Sequence, residues 1–361
     1  MTSYRPQPRK GRGALSNVES RYDGWSRDVD LDGLAADIEV HGERPVPQTT
    51  ITLETVKSII SRNQSPDVPF DQSVNVYRGC EHGCSYCFAR PTHAYLGLSP
   101  GLDFETKLFA KPNAAALLRT ELSRKAYQPS VIALGTNTDP YQPIEREMHL
   151  TRAILEVLEE FEHPVAITTK SALVTRDIDI LARMAEKQLA RVYVSVTSLS
   201  ANLARKLEPR ANTPARRLEG IRRLADAGIP TGVLVAPVIP ALTDTEVERI
   251  LEAAHDAGAS AAGYVMLRLP LEVHDIFVEW LAQHYPGRQR HVLSLIEQIR
   301  DGRRNDSTFG QRMKGSGIFA DLLEKRFQHA CRRLGLNQQR SPLRLDLFRV
   351  PVVASAQGSL F

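Results

Sequence analysis

Three of the four cysteines of this 361-residue chain fall within eight residues of one another, in Val76-Tyr-Arg-Gly-Cys80-Glu-His-Gly-Cys84-Ser-Tyr-Cys87-Phe-Ala-Arg90. The spacing is C-x3-C-x2-C. A disulfide uses two thiols and strands the third, whereas three thiolates on one soft metal centre need a loop that folds back, which Gly79 and Gly83 permit. Three thiolates hold three irons of a cubane [4Fe-4S] cluster, and the fourth iron is left open to a small ligand. The competing assignment is a structural Cys3His zinc site with His82 or His93 as fourth ligand. Such sites ordinarily assemble from two separated knuckles, and the chain offers one.

A reactive loop of this kind has to be carried by elements that bring other residues to its open side. From about Asp71, short apolar runs alternate with amphipathic stretches, the sequence form of consecutive βα units and a parallel sheet. Strands are expected at residues 73–78, 131–135, 165–169, 192–196, 231–236 and 262–267. The helix boundaries agree: Thr213-Pro214 places a cap and an N1 proline, Thr243 to Glu246 reads as a capping box, and Gly228 and Gly258 stand where C′ glycines belong. The fold class expected is α/β, a partial (β/α)6 barrel of TIM type, with its chemistry at the C-terminal strand ends. A doubly wound open sheet is the alternative.

The remaining chain divides by composition. Residues 1–50 mix Arg, Gly, Pro and Asp without a sustained period and read as an irregular N-terminal arm, mobile or loosely docked, with Trp25 as a local anchor. The barrel is expected over 51–270. A basic helical extension follows over 271–349, with helices at 292–301 and 319–334 around a glycine-broken linker at 310–317, and 350–361 is a flexible tail.

A hydrophobic content of 42% with 24% charged residues is that of a globular protein able to bury a core. No apolar run reaches the ~18 residues of a membrane span, and the first residues lack the apolar centre of a secretory signal, so no membrane partner and a cytoplasmic location are expected. Scarce cysteines agree with a reducing compartment, and Cys331 reads as a buried small apolar residue on a helix. The net charge of +4 is unevenly placed, with Arg5, Arg9, Lys10 and Arg12 unopposed at the start and 13 basic against 5 acidic residues over 288–344. That segregation points to a polyanion meeting the ends of the chain.

The C-x3-C-x2-C motif with an aromatic residue, Tyr86, just before the last cysteine resembles the signature of the radical S-adenosylmethionine (SAM) superfamily. The resemblance implies that Cys80, Cys84 and Cys87 hold a [4Fe-4S] cluster whose open iron chelates S-adenosylmethionine, and that one-electron cleavage gives a 5′-deoxyadenosyl radical. It implies the same partial barrel, and a reductant such as flavodoxin or ferredoxin. From about residue 74 to 240 the chain is similar to a narrower branch, spore photoproduct lyase and its DNA-repair-photolyase-like relatives. There a serine at the second strand end and a lysine at the third hold the methionine group, and Thr138 and Lys170 occupy those places. Asp139 beside Thr138 joins the cofactor set, Ser195 and Thr197 at the fourth strand end suit ribose hydroxyls, and Arg210 is a candidate for a phosphate side.

Two positions depart from that branch. Where the lyase has a hydrogen-donating cysteine the chain has Thr136, and of the two tyrosines flanking the third cluster cysteine Tyr86 remains while the other is Phe88. Tyr86, Thr136 and Arg210 are the candidate catalytic residues. An aliphatic hydroxyl is a poor hydrogen-atom donor, so the radical-generating half is expected and the substrate half is unassigned. The leading expectation is a radical enzyme acting on nucleic acid, DNA first. RNA or peptide substrates are the alternative, and a zinc-stabilised nucleic-acid-binding adaptor is the reading from another class. The tail, with Gln357 ahead of Leu360 and Phe361, resembles the short peptides that dock on the bacterial sliding clamp.

Overall fold

The computed structural model describes residues 7–24, 47–338 and 341–351. Trp25 and the tail from Gln357 to Phe361, with its clamp-docking reading, lie outside the described residues. Ten strands are present among them: β1 Thr50–Leu53, β2 Ile60–Arg62, β3 Gln72–Val74, β4 Tyr77–Arg78, β5 Lys107–Ala110, β6 Ile132–Leu134, β7 Val165–Thr169, β8 Ala190–Ser195, β9 Thr231–Val238 and β10 Ala261–Met266. The main sheet runs β10-β9-β8-β7-β6-β3-β2. Its strands from β3 to β10 are parallel to their neighbours, and β2 adds to the edge antiparallel. Each parallel strand pairs with the next in the chain, the winding of a partial barrel. β1, β5 and β4 form a small separate sheet.

The helices that cover the sheet are α1 Asp103–Thr106, α2 Ala114–Leu122, α3 Glu145–Met148, α4 Leu150–Glu160, α5 Ile178–Glu186, α6 Ala201–Leu207, α7 Pro214–Asp226 and α8 Val247–Asp256. Beyond the barrel come α9 Val273–His284, α10 Gln289–Gln298 and α11 Gly317–Arg333. In the main core cluster Ile167, Val192, Val233 and Leu134 from the strands meet Leu155, Leu181, Leu224 and Ile250 from the helices, and a second cluster packs Leu207 and Leu267 against Phe277 and Trp280 of α9. Gly228 and Gly258 end α7 and α8 with left-handed φ of 74° and 95°. Among the described residues no helix is long and apolar enough to cross a membrane.

Five expectations are corrected. The strand expected at 73–78 divides into β3 and β4, in different sheets, because Asn75 leaves the ladder: its side-chain oxygen takes Asn137 N–H at 3.0 Å and its carbonyl takes Lys111 Nζ at 2.8 Å. Thr243 to Glu246 is no capping box. Thr243 Oγ1 accepts from Ile239 N at 2.8 Å, and the Glu246 carboxylate accepts from the Ser198 hydroxyl and Leu199 N at 2.9 and 2.7 Å. Tertiary partners outcompeted the local ones.

The described part of the arm is docked, not loose. Ala14 and Leu15 are buried, Gly13 N and Ala14 N donate to Glu105, and Ser16 and Arg21 reach Glu279 and Glu272 on the α9 side. Three of the thirteen basic residues of the 288–344 stretch are already neutralised by the barrel: Arg312 pairs with Asp67, Arg326 with Glu248 and Arg333 with Glu252. Residues 341–351 are not helical. Phe348 packs on Phe161, Tyr127 and His163, and Arg344 N and Arg349 N donate to the Gln188 and Phe161 carbonyls before β8 and β7.

Candidate active site

The three-cysteine loop lies at the C-terminal ends of the strands and every side of it is tied down. Gly79 and Gly83 take φ of 75° and 64°, the left-handed region that a Cβ disfavours, so the loop turns back on itself at both. Cys80 N donates to Phe104 O, Glu81 N to Gln142 Oε1 and Ser85 N to Leu207 O, at 3.0, 2.9 and 3.0 Å. From beneath, the fully buried Arg90 sends Nε to the Cys84 carbonyl at 2.8 Å and Nη1 to those of Pro100 and Gly101 at 3.0 and 2.8 Å, and it pairs with Glu105. Gly13 closes the remaining side so tightly that a Cβ there would lie 1.7 Å from Gly83 O. Arginine, carboxylate and arm thus form one support.

The strand ends converge on this loop. After β6, Thr138 donates to Gly79 O at 2.7 Å and accepts from Gln142 Nε2 at 2.9 Å. Asp139 is a junction: it accepts from Thr169 Oγ1 at 2.6 Å and from Lys170 N at 2.8 Å, and it faces His82 Nδ1 at 3.3 Å. Burial by itself raises a carboxyl, yet the His82 charge and these donors outweigh it and hold Asp139 below the usual carboxylate range. After β8, Ser195 Oγ donates to the Ala236 carbonyl at 3.0 Å, and the Thr197 hydroxyl sits 2.7 Å from Glu208 and 3.0 Å from the same carbonyl.

Glu208 is the second junction. Tyr86 donates its phenolic hydrogen to it, and Arg217, 1% exposed, pairs with it while its Nη1 donates to Ser195 O at 3.0 Å. Burial, then the Glu208 charge, pushes the Tyr86 phenol well up, so it stays protonated as a donor. Burial lowers the Lys170 ammonium, and the Cys84 and Glu208 charges outweigh that and raise it. Lys170 Nζ lies 5.9 Å from the Tyr86 ring centroid and makes no ion pair or hydrogen bond among the described residues. It is a cation facing the cysteine loop, near the Glu208 charge but in direct ion pair with no acid among the described residues.

The expected residues therefore separate. Thr138, Asp139, Ser195 and Thr197 spend their polar atoms on protein partners and frame the site. Arg210 lies on the cysteine loop: Nη2 pairs with Glu81 at 2.9 Å and its N–H reaches His82 O at 3.3 Å. Thr136 faces Asn75, 2.9 Å from its side-chain nitrogen. Sequence reasoning missed Glu208, Arg217, Glu105 and Arg90. Arg210 was read in the same neighbourhood, and the acid two residues before it, Glu208, was the signal available there.

The residues fit the cluster. Three thiols of one loop feel one another, for Cys87 and Cys80 both act on Cys84, whose thiol burial pushes up and Lys170 opposes. Ser85, fully buried between two of them, has a hydroxyl without a partner among the described residues. Among the described residues no three His, Cys, Asp or Glu side chains are gathered to hold a single ion. A cubane asks otherwise, with one thiolate on each of three irons. His82 faces Asp139 and His93 Nε2 meets Lys107 O at 2.9 Å.

Residues 74–254 match the Radical SAM superfamily, and the chain belongs to it. It is a radical SAM enzyme, whose cofactors are a [4Fe-4S] cluster and S-adenosylmethionine. Uncharacterised proteins of Mycobacterium tuberculosis and Mycobacterium bovis are each 39% identical to it over 241 residues, 65% of this chain and 71% of theirs. One from Methanocaldococcus jannaschii is 29% identical over 174 residues, 48% of this chain and 62% of its own. Spore photoproduct lyase complexed with dinucleoside spore photoproduct superposes with a TM-score of 0.55 at 17% identity, over 80% of this chain and 81% of the lyase. A mutant lyase with bound AdoMet and dinucleoside spore photoproduct gives 0.56 at 16%, over 84% and 92%. The likeness to these structures is one of fold.

Proposed function

We propose that this enzyme abstracts hydrogen from a nucleic-acid substrate, DNA in the first instance, with Cys80, Cys84 and Cys87 holding the cluster and Lys170 receiving the carboxylate of S-adenosylmethionine. Bound together, cluster and S-adenosylmethionine supply the 5′-deoxyadenosyl radical. Lys170 neutralises a carboxylate in a site where an unpaired charge is costly. Thr138 and Asp139 hold the cysteine loop and the Lys170 segment in register. Glu208 and Arg217 orient Tyr86 against the same space.

The observation that carries the substrate class is the surface beside the third cysteine. Phe88 is 49% exposed, and the guanidinium of Arg268, at the end of β10, lies 5.7 Å from its ring centroid. Arg268 Nε is buried without a partner, and the guanidinium's one hydrogen bond among the described residues is to Met313 Sδ at 3.5 Å. A flat aromatic face beside an uncompensated cation suits a stacked base and its phosphate. The fold shared with spore photoproduct lyase supports the same reading, and Thr136 and Phe88 in place of its cysteine and tyrosine argue for a different lesion or base.

The experiment incubates reduced, reconstituted protein with deuterated damaged DNA, undamaged DNA and RNA in turn and follows deuterium into 5′-deoxyadenosine. Transfer from DNA is expected. Transfer from RNA alone, or from none of them, ends the DNA reading. A cytoplasmic setting, flavodoxin or ferredoxin as electron donor, and a sliding clamp bound through Gln357, Leu360 and Phe361 complete the proposal. The clamp part is tested by titrating purified clamp with intact protein and with a variant lacking residues 357–361, where equal behaviour of the two removes it.

A further inference from the structure

On the rim of the barrel, between the segment that follows β7 and the outer face of α7, lies a cleft of about 290 Å³ lined by Arg146, Arg176, Arg216, Arg223, Glu219 and Asn212, among others. Four guanidiniums face one concavity. Arg176 is neutralised in place by Glu145 and Asp177, at 2.7 and 2.9 Å, and both carboxylates are buried. Glu219 is also engaged, by Arg222 at 2.8 Å. Arg146, Arg216 and Arg223 form no ion pair or side-chain hydrogen bond among the described residues. The cleft therefore gathers three uncompensated cations and no free carboxylate, an arrangement whose self-repulsion an anionic ligand relieves.

The placement is set by the fold. Arg216 and Arg223 are seven residues apart on one face of α7, which separates them by about 10 Å along the helix axis, or roughly three nucleotide steps of one strand. Gly220 between them faces the loop, and a Cβ there would make ordinary contact with the Ala172 Cα at 3.6 Å. Asn212 Oδ1 accepts from Ala172 N at 2.7 Å and lies 3.2 Å from Ser171 Oγ. One wall of the cleft is thus the stretch from Ala172 to Arg176, which begins two residues after Lys170, the residue that faces the cysteine loop. Neighbouring arginines divide the work, with Arg217 turned inward to Glu208 and Arg216 outward to the cleft. Planar guanidiniums on rigid elements bind phosphate oxygens in bidentate fashion, and the cleft offers no aromatic face for a base.

We propose that this cleft seats the phosphodiester backbone of the nucleic-acid substrate and fixes its register relative to the radical site, a reading that rests on the nucleic-acid assignment above. It is a second contact, separate from the Phe88 and Arg268 surface.

The test measures anisotropy of a fluorescein-labelled DNA oligonucleotide against the full-length reconstituted protein over a salt series. The Arg216→Gln/Arg223→Gln variant should bind on the order of tenfold or more weakly near 0.1 M salt and lower the salt slope by about 2, while keeping its S-adenosylmethionine affinity and circular dichroism. Arg332→Gln, which removes an exposed charge on α11, should change binding by much less. Equal losses in the two variants, or none in the double variant, overturn the cleft and leave the nucleic-acid reading standing. Failure of the wild-type protein to bind DNA sinks that reading itself. Inorganic pyrophosphate forms the last arm: calorimetric binding that the double variant loses, with DNA affinity unaltered, would assign the cleft to a free phosphate compound and overturn the backbone proposal.

Discussion

Arg90 Nε donates to the carbonyl oxygen of Cys84 at 2.8 Å from a side chain with no solvent exposure, and the same guanidinium pairs with Glu105. The conformation of the central cysteine is therefore bound to a buried ion pair. Arg90→Ala should cost about 3–5 kcal/mol of stability, because it leaves the Glu105 carboxylate uncompensated. Denaturant midpoints and iron content measured on reconstituted protein check this, and Arg90→Lys should recover only part of both, lacking the fork that reaches three carbonyls.

The arm is an integral part of that support. Gly13→Ala places a methyl 1.7 Å from Gly83 O and should destabilise by about 1–3 kcal/mol, with residues 11–20 becoming cleavable by protease. Gly24→Ala meets nothing within 4 Å and should leave both cleavage and iron content unaltered.

Cluster assignment is tested by a pair of cysteines. Cys84→Ala should abolish iron binding after anaerobic reconstitution, whereas Cys331→Ala, on α11 and away from the loop, should retain the full complement. Iron and sulfide analysis with visible absorption reads the outcome, and equal loss in both variants refutes the three-cysteine site.

Replacing Lys170 tests cofactor binding apart from cluster binding. Lys170→Ala should weaken S-adenosylmethionine binding by about 1.5–3 kcal/mol, the range for a lost charge-assisted hydrogen bond, while iron content stays constant. Isothermal titration with the reconstituted protein measures it. An unchanged dissociation constant places the carboxylate elsewhere.

Stability should fall in mild acid through His163. Burial depresses this imidazole to about 4, while its ring nitrogens lie 2.7 Å from the Tyr127 hydroxyl and 3.0 Å from the Pro164 carbonyl oxygen. The unfolded chain takes up the proton near 6.5, the folded one only near 4, so stability present above pH ~6.5 is lost as pH falls toward 4, by up to about 3 kcal/mol. Urea midpoints from pH 7 to 4 should show this fall, and His163→Gln should flatten its contribution.

Periodicity and spacing were enough to place the parallel strands at 165–169, 192–196, 231–236 and 262–267 within two residues at each end, because each strand and helix carries its own alternation and its own caps. The cysteine motif was legible for the same reason, its three thiols lying in one short loop whose two glycines turn the backbone. Residues that act through distant partners were not legible. Glu105 joins Arg90 to the backbone of Gly13 and Ala14, about 90 residues earlier in the chain, and Glu208 joins Tyr86 to Arg217. Local chemistry even misled at Thr243 and Glu246, where Ile239 and Ser198 offered better partners than the helix end. Charge behaved likewise. The basic ends stood out in the sequence, yet several of those arginines meet acids of the barrel, while Arg146, Arg216 and Arg223 converge from the chain between those ends. Composition along the chain counts charges, and only the tertiary structure decides which of them are left facing a common space without a counter-ion.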